Sequence, residues 1–298
     1  MATPQAAFDA AELEQLRTPV GARLRQLLRK QPLGTAGAFV VIIMGLSAIF
    51  AGLISPYNPV ANDLASMLQP PDASHWMGTD EFGRDILTRV MYGARTALTI
   101  GLTAAFLGAT GGLILGVASA YFGGIFDLVS QRIVDVFMAF PLIIMALAVV
   151  ATLGPGTQNV IIAITIPFIP QCARVVRSSA LAIREIPYVD AARALGFSNT
   201  RIILRHMVPN VMAPYLIMLS TFVGQAILLE AVLSYLGMGV QDPTPAWGLM
   251  LKGGAEEFLE SAPWVSIFPG LAISFAVFGF NLFGDAMRDV LDPKLRRD

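Results

Sequence analysis

Long apolar runs constrain the fold of this chain more than any other feature of its sequence. Six of them are close to or above the roughly 20 residues that an α-helix needs to cross the hydrocarbon core of a bilayer. They lie at about 35–54, 96–122, 133–153, 158–176, 209–237 and 265–284. Only 14% of the 298 residues are charged, compared with about 25% in a typical soluble domain. The sequence therefore predicts an all-α integral membrane protein with six transmembrane helices.

Lysine and arginine are distributed unevenly between the connections that join these runs. If the N-terminal segment is cytoplasmic, 16 of the 20 basic residues lie on the cytoplasmic side. The four on the opposite side are Arg84, Arg89, Arg95 and Lys252. Because cytoplasmic connections carry an excess of lysine and arginine, both termini are predicted to face the cytoplasm.

The apolar runs divide the chain into five predicted parts. These are a cytoplasmic tail (1–34), a first transmembrane helix (35–54), an external segment containing an interfacial helix (55–95), a five-helix core with a cytoplasmic connection at 177–208 (96–284), and a second cytoplasmic tail (285–298).

The interfacial helix is predicted from the residues that precede the second apolar run. Thr79 or Asp80 can cap its N-terminus, and apolar residues such as Ile86 and Met91 fall on one face, opposite Arg84 and Arg89. The acidic residues nearby do not have the spacing of a calcium-binding loop, and no metal site is predicted.

The cytoplasmic connection between Pro187 and Pro209 contains two predicted short helices. "YVDAARALG" favours a helix that ends at Gly196, and Ser198 can cap a second one. One interpretation is an amphipathic surface helix that only anchors the connection to the membrane. The other is a docking surface, because small side chains such as those of Ala191, Ala192 and Ala194 let another protein approach closely.

Several motifs in this order resemble those of the permeases of ABC importers. Asp190-Ala191-Ala192, Gly196 and Pro209 resemble the EAA loop of that family, with Asp in place of Glu. The longer string "YVDAARALGFSNTRIILRHMVPN" resembles its dipeptide, oligopeptide and nickel group. "HWMGTDEFGRDILTRVMYGARTAL" and "LSYLGMGVQDPTPAWG" resemble two further segments of the same group, and the chain looks most like a "C" permease.

The resemblance implies a type I ABC importer transmembrane-domain fold in the bacterial inner membrane, and it implies partners. These are a second, homologous permease that forms a heterodimer with this chain, one or two cytoplasmic ATPase subunits, an external substrate-binding protein and the lipid bilayer; no nucleic acid is expected. The coupling loop that contacts the ATPases would then contain Tyr188, Asp190, Ala191, Ala192, Arg193, Gly196, Arg201, Arg205, His206 and Pro209.

Polar residues elsewhere are candidates for the transport path and for contact with the binding protein. Glu230 and Gln225 lie within the fifth apolar run, where a carboxylate usually faces a cavity or a partner. A structural hydrogen bond to another helix or to the partner permease is the equal alternative for Glu230, and likewise for Gln225. The external loop 238–264 is either a solvated connection or a docking site for the binding protein, with the candidate contacts Asp242, Trp247, Glu256, Glu257 and Glu260.

The sequence contains no G-x-x-x-x-G-K-[ST] phosphate-binding loop and no plausible catalytic set. The chain is therefore predicted not to be an enzyme and to bind no cofactor itself, with ATP and magnesium on its partners. The predicted function is ATP-driven import of dipeptides or oligopeptides. Import of nickel, glutathione or another small solute by the same machine remains open, as does a gradient-driven secondary transporter with Glu230 as its ion site.

Overall fold

A computed structural model of the protein describes residues 31–291, and this part of the chain is built from helices. Most of the predicted N-terminal tail and the end of the C-terminal tail lie outside the described residues. We number the α-helices α1 (Pro32–Ile54), α2 (Ile86–Phe122), α3 (Gly124–Met138), α4 (Leu142–Leu153), α5 (Thr157–Arg184), α6 (Pro187–Ala194), α7 (Asn199–Ile202), α8 (Met212–Tyr235), α9 (Trp247–Glu257) and α10 (Trp264–Leu291).

Five described stretches are long and apolar enough to cross a membrane, and a bent pair raises the number to six. That pair is α3 and α4, whose axes differ by 91°. Pro141 stands immediately before α4, and proline disfavours a helical conformation in the residue that precedes it. The predicted span at 133–153 is therefore divided into two helices at Pro141, and it makes the sixth span where the bent pair crosses the membrane as one.

Helix α2 also differs from its prediction at the external end. Asp85 is its N-cap, with a side-chain oxygen that accepts from Thr88 N–H at 2.8 Å. Thr79 and Asp80 lie in the preceding turn, so the predicted caps are wrong. The helix runs for 37 residues, or about 55 Å, without a break. The predicted interfacial helix is thus the first turns of a continuous spanning helix.

The centre of the bundle is the contact between α2 and α5. Three glycines of α2, spaced four residues apart, face α5: Gly108, Gly112 and Gly116. A Cβ atom built on Gly112 would lie 2.4 Å from the Cβ atom of Cys172 and 2.8 Å from Ile169 O. Small residues at this spacing let two helices approach closely, as is common within membranes.

The other spanning helices surround this pair. Helix α8 packs against both α2 and α10, and α1 packs against α10. A Cβ atom on Gly37 of α1 would lie 2.7 Å from Leu282 Cβ, so this contact is also close. Prolines Pro167 and Pro170 lie inside α5 and Pro269 inside α10. Large apolar side chains remain exposed along α1 and α3, which suits contact with lipid or with another spanning protein.

Candidate functional site

The stretch between α5 and α8 has the two short helices that the sequence predicts. Pro187 occupies the first turn of α6, where a missing N–H costs nothing. After α6, Gly196 has a φ of +76°, a conformation that side chains with a Cβ atom rarely adopt. Ser198 caps α7 by accepting from Arg201 N–H at 3.4 Å. We call Pro187–Ile202 the coupling unit, after the role that the resemblance implies for it.

Burial divides the alanines of the coupling unit into two sets. Ala192 is buried against the bundle, whereas Ala191 and Ala194 are exposed. The prediction that all three form one docking surface is therefore wrong for Ala192, because its position on α6 points it toward the core. Two exposed leucines extend this surface: Leu195 is 74% exposed and Leu204 is 63% exposed. Sequence reasoning missed both, although large apolar side chains in a polar stretch are a usable signal.

The charged residues of the coupling unit make local contacts. Arg193 Nη1 lies 3.0 Å from Asp190 Oδ1, and its guanidinium lies over the ring of Tyr121 at 5.3 Å from the ring centroid. Tyr121, near the end of α2, donates to Asn199 Oδ1 at 2.8 Å. These contacts hold the coupling unit against the end of α2. Arg201 and Arg205 are exposed and add positive charge to the surface.

The remaining predicted residues of this region lie where the chain enters α8. His206 packs its ring between those of Tyr188 and Phe197, with centroids 5.9 and 6.1 Å away. Pro209 lies in a 3-10 turn directly before α8. Tyr188, His206 and Pro209 thus belong to the junction between the coupling unit and the spanning helix.

The structure does not bring the two predicted path residues together. Glu230 is fully buried, and Ser234 donates to its Oε1 atom at 2.7 Å. Ser234 Oγ in turn accepts from Val240 N–H at 3.1 Å, which ties the loop after α8 to the helix. Gln225 is exposed. This hydrogen bond of Glu230 is made within α8, in a region closed to solvent, so the predicted bond to another helix or to a second permease and the predicted place in the transport path both stay predictions.

The predicted external contacts also separate. Trp247 is 3% exposed, and its Nε1–H donates to Val90 O at 2.9 Å. Its prediction as a docking contact is wrong, because the indole packs inside the protein. Glu256 and Glu257, at the end of α9, and Glu260 are exposed. The prediction of a loop throughout 238–264 is corrected by α9.

Asp242 is exposed, so its prediction as a docking contact stays a prediction, and it lies at the edge of a group of buried charges. Arg84 and Arg89, predicted on the polar face of an interfacial helix, are both almost fully buried. Arg84 Nε lies 2.7 Å from Asp80 Oδ2, and Arg84 Nη1 lies 3.3 Å from Asp242 Oδ1. Glu81 lies beside them, and burial raises the pKa of its carboxyl. This group joins the turn before α2 to the loop after α8.

The chain is similar to known transport proteins over most of its length. It matches the family described as "Binding-protein-dependent transport system inner membrane component" over residues 112–297. Residues 22–71 match the family described as "N-terminal TM domain of oligopeptide transport permease C".

Individual relatives agree with these family matches. The dipeptide transport system permease protein DppC of Alkalihalophilus pseudofirmus is 44% identical over 90% of this chain and 88% of its own. A glutathione transport system permease protein, GsiD of Escherichia coli, is 42% identical over 98% of this chain and 97% of its own. Among solved structures, an inward-facing MetNI methionine ABC transporter matches 70% of this chain and 98% of its own with a TM-score of 0.57 and 19% identity, which supports the fold.

Proposed function

The chain belongs to the family of binding-protein-dependent transport system inner membrane components, and on that premise we propose that it is the permease subunit of an ATP-driven importer of short peptides. The premise makes it a multi-pass protein of the inner membrane. The relatives' names support the cargo: one is a dipeptide permease, another a permease for glutathione, which is itself a tripeptide. Nickel has no such support among them.

The coupling unit is the observation on which the mechanism rests. Its helix α6 lies between the candidate spans Thr157–Arg184 and Asn199–Tyr235. The unit exposes small and apolar side chains together, and it has a defined shape because of its glycine elbow. A surface of this kind suits the groove of a protein partner, because close approach buries apolar area that is now exposed to water. We assign this surface to a cytoplasmic ATPase, with Ala191, Ala194 and Leu195 as direct contacts.

The rest of the proposed complex consists of ATPase subunits, a second permease and a binding protein. Its sequence has no phosphate-binding loop, so ATP and magnesium are assigned to the ATPase subunits. A homologous second permease completes the translocation path, and an external binding protein delivers the cargo, with Glu256, Glu257 and Glu260 as its candidate contacts. Both termini face the cytoplasm in this arrangement. The family's dependence on a binding protein argues against a gradient-driven transporter that uses Glu230 as an ion site.

A detergent pull-down from native membranes tests the coupling surface directly. Ala191→Trp places a large side chain on the exposed face of α6, and we expect the ATPase subunits to be lost while the second permease is retained. Ala61→Trp, at an exposed alanine of the external segment, is the matched control and is expected to retain both. Retention of the ATPases by the Ala191→Trp complex contradicts the proposed docking surface.

Variants at Gly196 and Ala192 are less suitable for this test. Gly196 has a positive φ, so any larger residue strains the backbone as well as blocking the surface. Ala192 is buried, and enlarging it disturbs the packing of α6 on the bundle. A loss of ATPases in either variant therefore does not separate docking from local misfolding.

A further inference from the structure

The chain changes its helical register between the coupling unit and α8. Ile203–Met207 form a π-turn, in which Val208 N–H donates to Ile203 O, and Val208–Val211 form a 3-10 turn. In a 3-10 register, the carbonyl of residue 206 would accept from the N–H of residue 209. Residue 209 is proline, which has no N–H, so the His206 carbonyl has no backbone donor in that register.

Two side chains satisfy this carbonyl instead. The Tyr188 hydroxyl donates to His206 O at 3.0 Å, and Asn210 Nδ2 donates to the same oxygen at 2.7 Å. Asn210 Nδ2 also lies 3.0 Å from the Tyr188 hydroxyl, to which it donates. The three groups form a closed triangle of hydrogen bonds. Tyr188 belongs to the first turn of α6, whereas Asn210 leads into α8, so the triangle joins the two helices.

Aromatic packing supports the same junction. The His206 ring lies between the rings of Tyr188 and Phe197, and it is nearly parallel to the ring of Phe197, with an interplanar angle of 15°. The guanidinium of Arg201 covers Phe197 at 4.0 Å from the ring centroid. Residues of α6, the glycine elbow, α7 and the π-turn therefore pack as one body. The hydrogen-bonded triangle lies where this body meets the spanning helix.

We propose that Tyr188 is a positioning residue, which transmits movement of the coupling unit to α8 through the hydrogen bonds that its hydroxyl makes with the His206 carbonyl and with Asn210 Nδ2. This role rests on the proposed function, and it differs from the direct ATPase contact that the family resemblance implies for Tyr188. An ATPase that moves α6 displaces the Tyr188 hydroxyl. Because that hydroxyl is held by both His206 and Asn210, the 3-10 turn before α8 moves with it. Without the hydroxyl, only the π-turn and the bond from Asn210 to His206 O join α6 to that turn, so less of the movement of α6 reaches α8.

The test uses the complete complex reconstituted in lipid vesicles, with the binding protein purified from its host together with the cargo that it carries. Three quantities are measured: ATPase subunits recovered in a pull-down, basal ATP hydrolysis, and hydrolysis in the presence of the binding protein. Tyr188→Phe removes the hydroxyl and keeps the ring. Tyr57→Phe is the matched control, because its hydroxyl also donates to a backbone carbonyl, Ser74 O at 2.9 Å, in the external segment.

We expect Tyr188→Phe to retain its ATPases and its basal hydrolysis, and to lose stimulation by the binding protein about fivefold, as for the loss of one hydrogen bond. Tyr57→Phe is expected to match the wild type. Asn210→Leu opens the same triangle, so it should act in the same direction. The double variant should be no worse than the more impaired single variant, because coupled residues are not additive.

Two results overturn the positioning role and leave the proposed function intact. One is normal stimulation in Tyr188→Phe, which shows that the hydroxyl transmits nothing. The other is loss of the ATPases from the Tyr188→Phe complex, which makes Tyr188 a docking contact. A wild-type complex that lacks ATPases, or that does not respond to the binding protein, overturns the proposed function itself, and the positioning role falls with it.

Discussion

Replacing Gly112 by alanine tests whether the contact between α2 and α5 sets the geometry of the bundle. The added methyl group would lie 2.4 Å from Cys172 Cβ, 2.8 Å from Ala173 N and 2.8 Å from Ile169 O. Carbon atoms in contact are normally about 3.5–4.0 Å apart, so the gap is short by more than 1 Å. Two of the three neighbours are backbone atoms, which cannot turn aside as a side chain can. The helices must therefore move apart.

The expected cost follows from that separation. Forcing an extra methyl group into a closely packed core typically destabilises a protein by about 1–3 kcal/mol. At roughly 2–4 °C per kcal/mol for a chain of this size class, the melting temperature should fall by about 2–12 °C. The measurement is thermal unfolding of the purified protein in a mild detergent, followed by the loss of the monodisperse peak in size-exclusion chromatography.

Two other glycines calibrate this result. A Cβ atom on Gly111 would meet Ile169 Cγ1 at 3.0 Å, which belongs to a side chain that can shift, so Gly111→Ala should cost less. A Cβ atom on Gly45 would have no neighbour within 4 Å. Gly45→Ala should be neutral or stabilising, by up to about 1 kcal/mol of helix propensity. Equal melting temperatures for the Gly112 and Gly45 variants refute the idea that α2 and α5 are held at contact distance by glycine.

Three further predictions concern single side chains. Trp247→Phe removes the indole donor of Val90 O, which keeps its helical hydrogen bond, and should destabilise the protein by about 0.5–1.5 kcal/mol. The expected result is a lower melting temperature with binding-protein affinity unchanged, and an affinity loss at wild-type stability contradicts the structural assignment. Glu230→Leu removes the acceptor of Ser234 and should be less stable than Glu230→Gln, which keeps an oxygen there; equal stabilities argue against this hydrogen bond. Burial raises the pKa of the Glu81 carboxyl above 4.5, so the contribution of Glu81 to folding stability falls as the pH rises through that raised pKa. Glu81→Gln should therefore be more stable than the wild type at about pH 8 but not below pH 4.5. The same difference at both pH values would show that ionisation of Glu81 is not its cause.

Helix periodicity and turn chemistry accounted well for the local structure of the coupling unit. The proline at the start of α6, the glycine at the elbow and the serine cap of α7 all act within a few residues, so their effects are readable from the chain itself. The burial of individual side chains in this unit could not be predicted from the local sequence. Ala191 and Ala192 are neighbours of identical chemistry, and only the packing of α6 on the bundle places one outside and the other inside.

Charged and aromatic residues outside this unit also have a burial that their local sequence did not predict. The sequence placed Arg84 and Arg89 on the polar face of a helix. In the structure both are paired with Asp242, which is more than 150 positions away in the chain. The sequence around Trp247 predicted an exposed loop, but in the structure its indole N–H donates to a backbone carbonyl of α2. Asp80 is a local partner of both arginines, but Asp242 and Val90 are distant in the chain from the residues that they contact, and such contacts offset the cost of burying a polar group.

The sequence by itself determined that this protein crosses a membrane, roughly where its helices run, and which family it belongs to. Apolar length, basic-residue bias and ordered motifs are all local properties of the chain. Only the tertiary structure decided the right-angle break between α3 and α4, the glycine contact between α2 and α5, and the hydrogen bond from Tyr188 to His206. Each of these depends on where a helix axis lies relative to another part of the chain, and that position is fixed by packing over the whole bundle.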